Sequence, residues 1–327
     1  MRRYYAAEQT PDTNYRRTTN RLGATLLIFF ALFVLLSAFG DAMSDWLTVG
    51  LNHVSATVVE ELCQGVAYAL SFVLPLLLLR RMTPKEQRQP LPLSPTLPRS
   101  PWLWIPAGVA IVYSAAVSNA FLMRVLGLSS SASTGPFWVD GMPLHEALLL
   151  LITSVLIPAF FEELLFRGAV LSALLPYGKT VAVVGSAMLF GVMHQNADQL
   201  LYTSLAGVVL GVLVVRSGSI WASVLVHLFN NLFAVVEKIL YERMTSSMAV
   251  RLFGVLEMFV IGLGVICLVV LITREDRSRE RGKGTVDALL GGQERPQHSV
   301  QGFLTPMMLA ALAVGIGQMI WRICIFS

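Results

Sequence analysis

Apolar runs of roughly 20 residues recur from one end of this chain to the other, and that is the length an α-helix needs to cross the hydrocarbon of a bilayer. Nine such runs stand at 22–39, 56–79, 102–127, 144–172, 179–196, 199–215, 219–238, 252–273 and 306–325. Composition agrees: of 327 residues 55% are hydrophobic and 13% charged, about half the charged fraction of an ordinary soluble domain. The mean hydropathy is +0.66. A water-soluble fold is excluded. The expected fold class is all-α, a polytopic membrane helix bundle of about nine transmembrane helices around an intramembrane polar cavity.

The first run, "LGATLLIFFALFVLLSAF", follows Arg16, Arg17 and Arg21 and has a small residue near its end, as a secretory signal would. Its apolar core is longer than a signal peptide's, and many spans follow, so it reads as a retained first span. Basic residues set the orientation. The N-terminal segment carries five, including Arg2 and Arg3; residues 80–101 carry five and residues 274–303 six, whereas 40–55 and 128–143 carry none. That alternation places the N-terminus in the cytoplasm of what reads as a bacterial cytoplasmic membrane. Lys238, Arg243 and Arg251 fall in a predicted outer loop and run against the rule locally.

Two hydrophilic breaks, 80–101 (Pro-rich and basic) and 274–303 (charge-mixed), read as loops without a packed core. Three regions result: 1–143 with three spans, 144–238 carrying the chemistry described next, and 239–327 with the last spans and the 274–303 segment. The net charge of +4 reflects where basic residues cluster and does not indicate nucleic-acid binding. Cys63, Cys267 and Cys324 lie in apolar runs without paired spacing, so neither disulfides nor a thiolate metal site is expected.

Ionisable side chains inside a span cost about 2.5–3.5 kcal/mol each and imply a function and a partner. The fourth run contains Glu162, Glu163 and Arg167 in "FFEELLFRG"; the fifth ends "LFGVMHQN" with His194; the seventh reads "WASVLVHLFNNLF" with His227, Asn230 and Asn231. On a helix Glu163 and Arg167 share a face and form the expected ion pair, while Glu162 points about 100° away and faces another helix. His227 and Asn231 project together, with Asn230 elsewhere. With a rise of about 1.5 Å per residue, Glu162, His194, His227 and Asn231 lie roughly 15, 22, 12 and 18 Å from the cytoplasmic ends of their runs, depths at which they can converge. Their nearness to those ends suggests a site opening from the cytoplasmic side. Pro158, one turn before Glu162, should loosen the helix there.

A carboxylate beside imidazoles in a partly dry cavity is equipped for hydrolysis: the carboxylate takes a proton from water, and His227 with Asn231 supplies donors to a developing oxyanion. The same Glu162, His194 and His227 are also a set that zinc accepts. Residue types alone leave both readings open. The adjacent Glu60 and Glu61 of "VVEELCQG" have no arginine after them and read as structural or as lining a polar cavity. His53, His145 and His298 sit near span ends or in loops. Phe190, one turn before His194, is by itself an ordinary packing residue.

These residues carry a resemblance. Glu162, Glu163 and Arg167 match EExxxR, Phe190 and His194 match FxxxH, and His227 and Asn231 match HxxxN, in order on separate runs, so the chain resembles the CPBP (Abi) intramembrane proteases, which include the type II CaaX prenyl endopeptidases. The resemblance covers about residues 144–238. It implies an endopeptidase in which Glu162 and His194 activate water, His227 and Asn231 form the oxyanion site, and Glu163 and Arg167 orient it. Family descriptions include both a metalloprotease and a metal-free glutamate mechanism. No cofactor is favoured here, zinc on Glu162, His194 and His227 being the alternative. The expected substrate is a peptide or membrane protein; oligomeric state is not fixed. The competing, non-enzymatic reading is a membrane scaffold or bacteriocin-immunity protein that uses the cavity for binding.

Overall fold

The computed structural model describes residues 11–51, 53–127, 142–244, 246–279 and 300–326. Arg2 and Arg3, most of the bare 128–143 segment, His298 and residues 280–299 of the hydrophilic segment lie outside the described residues.

Each of the nine apolar runs forms helix among the described residues: α1 (Pro11–Gly50), α2 (Ala56–Met82), α3 (Pro101–Val125), α4 (Leu144–Tyr177), α5 (Lys179–Met193), α6 (Ala197–Ser217), α7 (Trp221–Arg243), α8 (Ser246–Arg279) and α9 (Pro306–Phe326). Seven of these are long and apolar enough to cross a membrane, and α5 and α9 are the shorter apolar helices. The protein is an integral membrane helix bundle. α5 falls short because its helix stops at Met193, leaving His194 at the turn into α6.

Small residues explain how tightly α5 and α6 pair. A Cβ on Gly207 would come within 2.8 Å of the Ala187 Cα, and one on Gly191 within 2.9 Å of the Leu200 carbonyl oxygen. Without an apolar effect to drive helices together in lipid, such close backbone approach is what holds them. The turn is fixed by Gln195 at φ 50° and by Asn196, whose side chain accepts a hydrogen bond from the Asp198 amide at 3.0 Å, an N-cap for α6.

The largest core cluster joins α1 (Leu22, Phe29), α2 (Phe72, Leu76), α4 (Leu165, Phe166), α5 (Leu189, Phe190) and α9 (Met308). It forms the wall behind Glu163 and Arg167.

Residues 80–101 differ from the expected unpacked loop. The Ile220 amide donates to the Pro92 carbonyl at 2.9 Å, the Trp221 indole to Leu93 at 3.1 Å, the Thr96 hydroxyl to Ser217 at 3.1 Å, and the Ser219 hydroxyl to Ser94. Leu91 packs on the main core. Prolines remove backbone donors but leave carbonyls, and these carbonyls satisfy the α6–α7 turn. The segment is a strap across that end of the bundle.

Candidate active site

α4 is not a uniform α-helix. Ile152–Leu156 and Leu164–Leu171 are π-helical, and the two glutamates end the α-helical stretch Ile157–Glu163 between them. Pro158 has no amide hydrogen with which to bond the Ser154 carbonyl one turn back, and the widened turn accommodates the break. Ser154 and Pro158 both line a cavity.

Glu163 and Arg167 pair as their spacing predicts, with Arg167 Nη1 donating to Glu163 Oε1 at 2.8 Å and both side chains wholly buried. The same Oε1 lies 3.1 Å from His227 Nδ1. A carboxylate already holding an arginine accepts, so Nδ1 carries the proton and donates. His227 Nε2 then faces Glu162 Oε2 at 3.8 Å, and the imidazole stands between the two glutamates. Glu162 Oε1 accepts a hydrogen bond from the Tyr68 hydroxyl, while its Oε2 is buried without a hydrogen-bond partner among the described residues.

His194 Nδ1 lies 2.8 Å from the Phe190 carbonyl oxygen. A carbonyl only accepts, so Nδ1 bears the proton, and with the ring neutral Nε2 is an acceptor. The Phe190 ring does further work than packing. The Arg167 guanidinium carbon lies 4.1 Å from its centroid, and its ring meets those of His194 and His227 edge to face at 4.9 and 5.9 Å.

Glu162, His194, His227 and Asn231 all line one cavity of about 350 Å³, together with Tyr202 and Thr203 of α6. The four residues expected to converge do so, and Glu163 and Arg167 lie behind them. Asn230, expected to face elsewhere, lines the cavity beside Asn231, its amide nitrogen 3.5 Å from the Asn231 Oδ1. The cavity is wide enough to be bordered by both neighbours.

The cavity runs towards the end of the bundle away from residues 80–101, whose end is the one near which the opening was expected. From Glu162 and His227 the lining runs to Gln199 at the start of α6 and Lys238 late in α7. That end is opposite the α6–α7 turn that holds residues 80–101. Glu61, in the second acidic pair, accepts from the Thr153 hydroxyl and stitches α2 to α4 away from this cavity.

Among the described residues no group of three or more His, Cys, Asp or Glu side chains is arranged to hold a metal ion. Glu162 Oε1 is engaged by Tyr68, and the Nδ1 atoms of both histidines by Glu163 and the Phe190 carbonyl, which leaves Glu162 Oε2 and the two Nε2 atoms as the uncommitted polar atoms of the three side chains. No step below runs through a metal.

Residues 144–233 match the type II CAAX prenyl endopeptidase Rce1-like family. This stretch contains every motif residue described above. The match spans about a quarter of the chain and is a similarity to that family confined to α4–α7. A Bacillus subtilis protein named "Putative membrane peptidase YdiL" is 28% identical over 185 residues, covering 53% of this chain and 71% of the relative. No solved structure matches. The family match and this relative support a membrane peptidase.

Sequence reasoning missed Tyr68 and the wider role of Phe190. Tyr68 sits in α2, 94 positions before the glutamate it binds. Nothing in "GVAYALSF" separates it from an aromatic that faces lipid or core.

Proposed function

We propose that the protein is an intramembrane endopeptidase that hydrolyses a peptide bond of a peptide or membrane-protein substrate with water activated by Glu162 and His194. The observation that carries this reading is the shared cavity wall of Glu162, His194, His227 and Asn231, with Glu162 Oε2 lacking a protein donor. A buried acceptor without a partner calls for an explanation, and a reacting water supplies one.

In this reading Glu162 takes a proton from water as its oxygen attacks the scissile carbonyl carbon. His194 Nε2 accepts the other hydrogen of that water and aligns it. The tetrahedral oxyanion is met by the Asn231 amide and by His227. With Nδ1 donating to Glu163, His227 donates from Nε2 only as an imidazolium, and once Glu162 has taken the water proton the oxyanion itself balances that charge. Collapse of the intermediate breaks the C–N bond, and the proton held by Glu162 passes to the leaving amine. Glu163 and Arg167 hold the His227 ring in place.

The test compares new peptide N-termini in membranes from cells producing wild-type protein or Glu162→Gln at equal levels. Cleavages present with the wild type and lost in the variant are expected. Undiminished cleavage by a folded Glu162→Gln protein would refute the general-base role, and a wild-type protein that yields no cleavages would favour the binding-scaffold reading.

A further inference from the structure

Tyr68 is outside the three motifs and outside the matched residues 144–233, yet its hydroxyl donates to Glu162 Oε1. We propose that Tyr68 is a positioning residue for Glu162, holding one carboxylate oxygen so that the other is presented to the reacting water. The inference rests on the peptidase reading above.

Several observations lead there. The tyrosine ring is fixed on two sides, edge-on to Phe33 of α1 at 6.1 Å and tilted against Phe72 at 4.9 Å, and Phe72 is itself 1% exposed. A ring held this way aims its hydroxyl with little freedom, as a preorganised donor requires. Its bond engages Oε1 and leaves Oε2 on the side of His227 Nε2.

The need for such a hold comes from Arg167. Its Nε and Nη2 are buried and have no hydrogen-bond partner among the described residues, although the guanidinium is wholly buried. Unused donors of a buried cation attract any carboxylate that can turn towards them, and charge-assisted bonds are the strong ones. Glu162 is adjacent in sequence to the glutamate that Arg167 already holds. A donor delivered to Oε1 by a different helix opposes such a turn of Glu162. The base and the orienting ion pair thus remain separate within one short helical stretch.

The experiment uses the full chain purified in detergent and a quenched-fluorescent peptide mixture with randomised positions as probe. Wild type, Glu162→Gln and Tyr68→Phe are compared, with 3-fluorotyrosine and 3,5-difluorotyrosine placed at position 68 by non-canonical incorporation. Tyr68→Phe is expected to lower kcat about ten-fold or more with KM within about two-fold, the size of losing one hydrogen bond to a charged group. Because fluorine changes the acidity of the hydroxyl with little change of shape, kcat is expected to vary in a graded way along tyrosine, fluorotyrosine and difluorotyrosine. A purely structural tyrosine gives no such gradation. Wild-type kcat in Tyr68→Phe, or equal rates along the fluorinated series, overturns the positioning role while an inactive Glu162→Gln leaves the peptidase reading in place. An active, folded Glu162→Gln sinks the underlying reading instead. Should Tyr68→Phe not fold, the fluorinated proteins, which keep the hydroxyl, decide the matter.

Discussion

The guanidinium carbon of Arg167 lies 4.1 Å from the centre of the Phe190 ring. A buried cation with two unused nitrogens is compensated in part by the negative face of that ring, an interaction worth about 2 kcal/mol when desolvated. The ring's other neighbours are His194 and His227, so one aromatic side chain touches all three motifs. Phe190→Leu keeps much of the apolar volume and removes the π-face. It is expected to lower the melting temperature in detergent and to reduce peptidase activity at least ten-fold. Thermal melting and turnover equal to wild type would show that Phe190 acts as filler alone.

Removing either partner of the Glu163–Arg167 pair leaves an uncompensated charge in a fully buried position, at a cost of about 3–5 kcal/mol. Arg167→Ala should therefore lose yield and melt earlier. Glu163→Gln should do the same to a lesser extent, because the amide can still accept from His227. Melting curves in one detergent check both, and an Arg167→Ala protein as stable as wild type would remove the pair from the architecture.

Much of this was readable in the residues, and the failures have physical causes. Apolar length marks each helix because lipid demands internally bonded backbone over a fixed thickness. The i,i+4 spacing of Glu163 and Arg167 survives the change to π-helix after Glu163, since residues four apart remain neighbours in either geometry. The assignment of Asn230 to another face assumed that a cavity is as narrow as one helix stripe; this one reaches from Ser154 to Lys238 and touches both asparagines. The strap at 80–101 was hidden because its anchoring uses backbone carbonyls, which every sequence has. Tyr68 was hidden because a contact across 94 positions leaves no local pattern.

From the basic segments we propose that the N-terminus and residues 80–101 are cytoplasmic, an orientation in which the cavity faces the outer side. Ser94 and Val49 are both exposed, Val49 at 84%, and lie at opposite ends of the bundle. In a background with Cys63, Cys267 and Cys324 replaced, Val49→Cys should react with an impermeant maleimide in intact cells, and Ser94→Cys only after permeabilisation. Gln199→Cys, on the cavity wall, should follow Val49→Cys. Labelling of Ser94→Cys alone in intact cells would invert the orientation, and Gln199→Cys behaving like Ser94→Cys would return the opening to the cytoplasmic side.

The last prediction concerns zinc. A catalytic zinc takes three protein ligands and a water, and Glu162, His194 and His227 are the set the sequence offers. For Glu162 to become a ligand through Oε2, the charge facing His227 Nε2 would be spent on the metal, and the role of base would pass to Glu163. Glu163 cannot take that role without releasing Arg167 Nη1 and His227 Nδ1, which share its Oε1, and without turning out of a wholly buried position. The hydrogen bonds already made therefore favour water activated directly by Glu162 and His194. Activity is expected to survive exhaustive chelation followed by gel filtration, with less than one zinc per ten chains by elemental analysis of the active protein. Adding zinc back should not raise turnover. Stoichiometric zinc in the purified enzyme, with activity lost on chelation and restored by zinc alone, would overturn the metal-free mechanism and require Glu163 to release its present partners before it could act as base.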